Sequence, residues 1–273
     1  MRTSKILNAC GISSSTYYRS LEIKEDKDES DFNLIEKHFL KSNRKAGIRQ
    51  LKMIIERKEG LIFNKKKIAR IKKKYKLETV IRRKNVFRKF AKKQQEHEVC
   101  ANLLDRQFKQ EKCDQVYSID ITQVKYNQKK AYIAAVKDLF TKEIVSKTVS
   151  QRIDVELTNK AIDGAIKRLT DKQKKKLLIH SDQGFHFTHL SYRKKLEENG
   201  ITQSMSRKGN CLDNAPIESF FGILKDHLEL RECRTIKDVE KEVTKKINYY
   251  NNERPQWGLK KMPPSEYRRH CLK

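Results

Sequence analysis

Residues 204–230 read SMSRKGNCLDNAPIESFFGILKDHLEL and predict a helix that carries one acid beside an apolar stripe. The stripe recurs at helical spacing and consists of Ile217, Phe220, Phe221 and Leu224. Pro216 suits the first helical turn, and either Asp213 or Asn214 is placed to cap it. Glu218 therefore lies in the first turn of this predicted helix.

A glutamate in a first helical turn usually only complements the helix dipole, so Glu218 alone is weak evidence for a site. Two upstream segments strengthen it, because VYSIDITQV places Asp120 in an apolar, β-branched run and KKLLIHSDQG places Asp182 just after another. The aspartates are 62 positions apart, and 35 residues separate Asp182 from Glu218. Lys225 follows Glu218 by two helical turns on nearly the same face, so a carboxylate and an ammonium could line one groove.

This pattern of two aspartates and a glutamate resembles the DDE transposases of bacterial insertion sequences, specifically the second-frame product of the IS-three family. Four ordered motifs carry the resemblance: IDIT at 119–122, HSDQG at 180–184, GNCLDNAPIESFFGILK at 209–225 and YYNNERPQWGLKKMPPSEYR at 249–268. Weaker likeness extends over nearly the whole chain. Tyr117 stands where the family commonly has Trp, and Gln256 where many relatives have His, but neither belongs to the acidic triad.

The resemblance implies a ribonuclease H-like core of α/β class with a mixed sheet, similar to retroviral integrases. It places Asp120 on the central first strand, Asp182 just beyond the neighbouring fourth strand, and Glu218 on a helix that crosses nearby. It also implies hydrolysis at the 3′ end of an element's strand, followed by attack of the freed 3′-hydroxyl on another phosphodiester.

That chemistry suits two Mg²⁺ ions held roughly 3.5–4 Å apart, one to activate the attacking oxygen and one to stabilise the leaving oxygen. Magnesium prefers hard oxygen ligands, which carboxylates supply, and Mn²⁺ is expected to substitute. By the same resemblance Asp120 bridges both ions, Asp182 completes one metal site and Glu218 completes the other.

Composition indicates a polyanionic partner. The 273 residues include 63 Lys and Arg against 35 acids, a formal net charge of +28, and such an excess favours nucleic acid over a membrane surface. Apolar runs fall short of the roughly 20 residues of a membrane span, and no secretory signal is visible. We therefore expect a cytoplasmic protein, and the family resemblance implies that it is bacterial and associated with the nucleoid. The six cysteines form no CxxC pair, so neither a zinc ribbon nor a disulfide framework is indicated.

The predicted organisation has five parts. They are a tail at 1–30, a basic helix-turn-helix-like region at 31–93, a linker at 94–108, the catalytic core at 109–235, and a C-terminal helix and clasp at 236–273. The basic region contains three predicted helices, the third opening at Asn64. From Lys65 to Lys93 there are fifteen Lys and Arg against the single acid Glu78, a block that repels itself unless a partner supplies countercharge.

The core should contain three strands near 115–126, 131–138 and 143–150, then alternating helices and strands. After a connecting segment at 228–238, a final helix is predicted from about Val239 to Asn251. The segment from Asn251 to Arg268 contains three prolines and is predicted as an ordered loop, with Trp257 clasped against the core.

Basic side chains are the expected DNA contacts: Lys66, Arg70 and Lys73 in the third helix, and Arg207, Lys208 and Lys225 around the acids. The protein is expected to act as a homo-oligomer on DNA. The family resemblance also implies a possible upstream-frame partner or fusion.

Other functions remain open at this point. The chain could be a DNA-binding regulator or inhibitor of transposition that acts without its own catalysis, or a plain ribonuclease H-like nuclease. A serine nucleophile at Ser181 is disfavoured, because no Gly-x-Ser-x-Gly elbow surrounds it. The complete set of three acids favours an active strand transferase.

Overall fold

A computed structural model describes residues 3–21, 26, 28–80, 100–207 and 211–272. The chain divides into two compact units, Met1–Thr79 and Val80–Lys273, which are described separately below. The predicted boundary between the basic region and the linker, at 93 and 94, lies outside the described residues. None of the helices in the described ranges has the length and apolar character to cross a membrane.

The first unit is helical. Its elements are α1 (Thr3–Ala9), α2 (Ser14–Leu21), α3 (Glu29–Lys41), α4 (Ile48–Glu59) and α5 (Lys65–Lys74). The last three confirm the three helices predicted from periodicity. The stretch at 1–30, expected to be a tail, contains α1 and α2.

Apolar stripes hold α3, α4 and α5 together around Ile35, Leu51 and Ile68, each fully buried. Gly60 ends α4 in the left-handed conformation, at φ 70°, which glycine adopts without steric cost. Asn64 caps α5 by accepting a hydrogen bond from the Lys66 amide, as the sequence predicts. The unit therefore has a hydrophobic core of its own.

The second unit is built on one five-stranded sheet. Its strands are β1 (Val116–Tyr126), β2 (Lys129–Asp138), β3 (Ile144–Ser150), β4 (Leu178–Ser181) and β5 (Thr202–Met205). They lie in the order β3-β2-β1-β4-β5, with β1 central. The first three strands pair antiparallel, whereas β4 pairs parallel to both β1 and β5. The predicted mixed α/β sheet is confirmed.

Alternation along β1 divides the unit into two cores. Tyr117 and Ile119 face one side of the sheet, where they pack with α6, α8 and α9. Val124 and Tyr126 face the other side, where they pack with α10 and α11. Successive residues of a strand point to opposite faces, so the even-numbered positions of β1 belong to the α10 side.

The helices of this unit vary from one turn to nearly five turns. They are α6 (Val155–Ile166), α7 (Asp171–Lys174), α8 (Phe185–Thr188), α9 (Leu190–Glu198), α10 (Ala215–His227), α11 (Ile236–Asn252) and α12 (Pro264–Cys271). The α10 stripe predicted from the sequence is buried as expected.

Two predictions near the C-terminus are wrong in detail. The final long helix begins at Ile236, inside the segment predicted to be a connection, because Thr235 and Asp238 form a capping box there. The predicted loop at 251–268 contains the start of α12, whose first residue, Pro264, supplies a preset φ. Trp257 is not clasped, since half of its surface is exposed. The residues buried in this segment are Asn251, Pro255, Leu259, Pro263 and Pro264.

An ionic cluster fastens α12 to the sheet. The Arg268 guanidinium donates to the Asp114 carboxylate, and one of its nitrogens lies 3.3 Å from Asp138 and 3.6 Å from Glu143. Asp114 and Asp138 are buried. Burial opposes the charge on Asp114, but hydrogen bonds from Arg268 and Tyr117 outweigh it and lower the pKa of that carboxyl. Arg168 also pairs with Asp114 and with Glu143, each at 3.3 Å. Two arginines therefore neutralise this cluster, and Arg268 is the one that comes from the C-terminal helix.

Replacing Arg268 with alanine should lower the free energy of unfolding by up to about 3–5 kcal/mol, because it removes the guanidinium paired with buried Asp138 and leaves Asp114 with Arg168 alone. Urea unfolding followed by circular dichroism measures this loss. The matched control is Arg269→Ala, since Arg269 is the exposed neighbour on α12, and it should cost less than about 0.5 kcal/mol. Equal unfolding midpoints for the two variants would contradict the role assigned to the cluster.

Candidate active site

The register between β1 and β4 brings the two predicted aspartates to the same level of the sheet. Ser118 pairs with His180 across these parallel strands. Asp120 and Asp182 each follow that pair by two residues, so both stand at the carboxyl end of β4. Adjacent strands lie about 4.8 Å apart, and both aspartates are partly buried.

The turn after β4 holds the Asp182 side chain. The Gly184 amide donates to Asp182 Oδ1 at 2.8 Å, and a Cβ at position 184 would lie 2.8 Å from that same oxygen. Only glycine fits this approach without displacing the carboxylate. Gln183 donates from its side chain to the Ser206 carbonyl, which ties the turn to the residue after β5.

Asp120 points to the sheet face that α10 covers. Ser118 lies two residues earlier on the same face, and its hydroxyl donates to Asn214 Oδ1 at 2.8 Å, immediately before α10. The Ile121 amide donates to Asp120 Oδ1 at 2.7 Å. The helix that carries Glu218 thus starts beside the strand that carries Asp120.

Glu218 is exposed in the first turn of α10, and Lys225 is partly buried farther along the same helix. In the part of the chain that the structure describes, no three acidic, histidine or cysteine side chains lie close enough together to hold a metal ion. The fold therefore brings Asp120 and Asp182 to one sheet edge and Glu218 to the adjoining helix, without gathering the three carboxylates into one ligand set.

The predicted helix caps are wrong. No side chain caps α10, because both candidates have other partners. The buried Asp213 carboxylate forms ion pairs with Arg106 at 2.7 Å and with Arg207 at 3.0 Å, and Asn214 accepts from Ser118. The hydrogen bond from Arg207, supported by Arg106, lowers the pKa of Asp213 despite burial.

A buried lysine also contacts the start of this helix. Lys137 on β2 is directly opposite Ser118, and its ammonium donates to the Pro216 carbonyl at 2.8 Å. The sequence analysis missed Lys137, although a lysine inside the apolar run AYIAAVKDLF is a recognisable signal. It also missed Arg106, which is 107 positions from Asp213 in the chain and has no local signal.

The predicted DNA contacts of α5 differ in their surroundings. Lys66 and Lys73 are exposed. Arg70 makes a bidentate ion pair with Asp28, in which the two guanidinium nitrogens lie 2.5 and 2.6 Å from the two carboxylate oxygens. This contact raises the pKa of the Arg70 guanidinium. Among the predicted contacts near the acids, Arg207 pairs with Asp213, and Lys208 lies outside the described residues.

Comparison with known proteins gives consistent assignments along the chain. Residues 110–211 and 199–264 match two families that are both described as Integrase core domain, and residues 25–85 match the family described as HTH-like domain. The InsK protein for insertion sequence element IS150 of Escherichia coli (strain K12) is 34% identical over 267 residues, which cover 97% of this chain and 92% of InsK. Transposase InsF for insertion sequence IS3A, from the same strain, is 32% identical over 127 residues, covering 46% of this chain and 43% of InsF.

The chain belongs to the IS-three family of insertion-sequence transposases. Members of this integrase-core family are polynucleotidyl transferases that act on DNA. Among solved structures, the HTLV-2 integrase catalytic core domain in complex with magnesium is similar, with a TM-score of 0.43 and 19% identity over 54% of this chain and 92% of that one. The helix-turn-helix-like region of this transposase precedes its integrase core, as predicted.

The ion pair between Arg207 and Asp213 indicates that Arg207 has a structural role in addition to the predicted DNA contact. Arg207→Ala should lower the melting temperature of the DNA-free transposase, because it removes one of the two guanidinium partners of a buried carboxylate. Thermal unfolding followed by circular dichroism measures the effect, with Arg231→Ala as the control at an exposed arginine. An unchanged melting temperature for Arg207→Ala would leave DNA contact as the better account of this residue.

Proposed function

We propose that this transposase cleaves DNA strands at the ends of its insertion sequence and transfers the freed 3′ ends to target DNA. One observation supports the proposal: Ser118 pairs with His180, two residues before Asp120 and Asp182 respectively, and Glu218 is in the first turn of α10, which packs against β1. Carboxylates on a strand, in the turn after a neighbouring strand and on an adjoining helix are the groups that metal-assisted phosphodiester chemistry requires.

The donor set fits divalent magnesium. All three side chains offer hard carboxylate oxygens, the ligands that Mg²⁺ prefers, and neither cysteine nor histidine is needed. Asp120 would contact two ions, with Asp182 and Glu218 each completing one site, and Mn²⁺ would substitute. When bound, the ions would lower the pKa of an attacking water or hydroxyl and stabilise the leaving oxygen.

The surrounding residues have supporting roles in this proposal. The Gly184 amide keeps the Asp182 carboxylate oriented, and the Ile121 amide does the same for Asp120. No covalent intermediate with the protein is required, since water and a 3′-hydroxyl are the nucleophiles.

DNA binding is assigned to both units. Lys66, Arg70 and Lys73 of α5 would contact phosphates, with Arg70 first exchanging its Asp28 partner. Near the acids, Lys225 would position the strand end because it lies two turns beyond Glu218, while Arg207 and Lys208 would orient neighbouring phosphates. We further propose a homo-oligomer on DNA, possible cooperation with an upstream-frame partner, and action on nucleoid DNA in the cytoplasm.

A second candidate function is regulation or inhibition of transposition by DNA binding without catalysis. It is favoured by the match of residues 25–85 to the family described as HTH-like domain, a region that could bind DNA without catalysis. The two candidates differ in one measurable respect, since a regulator would bind the element's ends without nicking them.

Asp120→Asn, Asp182→Asn and Glu218→Gln should each abolish Mg²⁺-dependent nicking and strand transfer, because each removes a charged metal ligand while keeping the side chain's shape. DNA affinity should stay close to that of the wild type. Asp171→Asn is the control, as the Asp171 side chain is 89% exposed on α7, and should retain activity. Near-normal nicking by any one of the three variants would remove that residue from the proposed site.

Binding of duplex DNA should weaken steeply with salt, by a log–log slope of about 0.9 for each phosphate contacted. In the full chain, Lys66→Ala combined with Lys73→Ala should reduce that slope by about 1 to 2, and Lys58→Ala, at an exposed lysine of α4, should not change it. Fluorescence anisotropy over a salt series measures the slopes. Identical slopes for all three proteins would place DNA contact elsewhere.

A further inference from the structure

Lys137 is a lysine in the interior of the sheet. Only 5% of its surface is exposed, and its neighbours along β2 are the buried residues Ala135, Val136 and Asp138. Its ammonium donates to the Pro216 carbonyl at 2.8 Å. Within the described part of the chain, the structure records no carboxylate in ion-pairing contact with it.

This arrangement is costly for the folded protein. A buried ammonium loses its hydration, and a single neutral carbonyl offsets only part of that loss. Burial, together with the nearby Arg254 guanidinium, lowers the pKa of Lys137 to about 8. The ammonium also lies at the start of α10, where the helix dipole disfavours a positive charge. An apolar side chain of similar length would therefore be at least as stable at this position.

The position of the lysine suggests why it is charged. Pro216 comes two residues before Glu218 on α10. Ser118, directly opposite Lys137 on β1, holds Asn214 at the same helix start, and Asp120 follows Ser118 on the same face. Ser118 and Lys137, which face each other on β1 and β2, therefore both hydrogen-bond to the beginning of α10, close to Asp120.

We propose that Lys137 is a positioning residue, which fixes the first turn of α10 on the sheet and thereby sets where Glu218 stands relative to Asp120. This inference rests on the proposed function of Glu218 as a metal ligand. In this role Lys137 would contact neither DNA nor metal. It acts through the Pro216 carbonyl, and it contributes by keeping the Glu218 carboxylate in the correct position. A misplacement of about 1 Å in an active site can lower a reaction rate substantially.

The experiment compares four full-length proteins: wild type, Lys137→Met, Lys137→Arg and the control Lys130→Met. Lys130 is an exposed lysine on the same strand. The measurements are the melting temperature, the affinity for plasmid DNA that carries the ends of the element, the single-turnover nicking rate of that plasmid in Mg²⁺, and hydrogen exchange of the amides in α10.

Lys137→Met should melt at or above the wild-type temperature and bind DNA as the wild type does. Its nicking rate should fall by about 10- to 100-fold, and amides of the first turn of α10 should exchange faster. Lys137→Arg should recover most of the rate, because a guanidinium can also donate to the carbonyl. Lys130→Met should match the wild type in every measurement.

Two results would overturn the inference: a Lys137→Met protein that nicks at the wild-type rate, or one in which slower nicking accompanies a lower melting temperature and arginine gives no recovery. Failure of the proposed function has a different signature, in which the wild type does not nick or Glu218→Gln nicks normally. In that case hydrogen exchange still tests whether Lys137 fixes the first turn of α10. Amides of that turn that exchange equally fast in Lys137→Met and in the wild type would show that Lys137 does not fix it.

Discussion

The parallel pairing of β1 with β4 is the constraint on which the rest of the second unit depends. Its register offsets the two strands by 62 positions, as in the pair of Ser118 with His180, and the two aspartates are separated by the same 62 positions. A slip of one residue would turn one aspartate to the opposite face of the sheet. Parallel strands need a long crossover connection, which here contains β2, β3 and α6, so the site depends on the folding of most of the unit.

The two faces of this sheet have different tasks. The face that packs on α6 and α9 is filled by apolar side chains such as Tyr117 and Ile179, and it supplies hydrophobic stabilisation. The face under α10 is apolar toward one end, but it becomes polar near Ser118 and Asp120, where the helix begins. Two of the buried polar groups there are stabilised by partners: Ser118 by Asn214, and Asp213 by two arginines.

Sequence patterns over short stretches correctly predicted the strands and helices that depend on local interactions. The β-branched runs around Asp120 and Asp182 indicated strands, and the spacing from Ile217 to Leu224 indicated a buried helical stripe, both of which the structure confirms. Prediction failed where the partner is distant in the chain. Asp213 is a residue type that commonly caps helices, yet its carboxylate pairs with Arg207 and with Arg106. Arg207 is only six positions away, whereas the contact with Arg106 spans 107 positions and has no short-range signal. The strand register, likewise, is a property of two segments together, and only the family resemblance anticipated that the aspartates would converge.

Different interactions stabilise α10, which carries Glu218, and fix the position of its first turn. Four buried residues, from Ile217 to Leu224, anchor α10 by apolar contact, which is strong but not directional. At the first turn the contacts are hydrogen bonds with defined lengths and angles, from Ser118 to Asn214 and from Lys137 to Pro216. Loss of an apolar contact should therefore weaken the whole helix, whereas loss of a hydrogen bond at its start should change mainly where the helix begins. Because Glu218 lies four residues beyond Asn214 and two beyond Pro216, the position of its carboxylate should be sensitive to such a change.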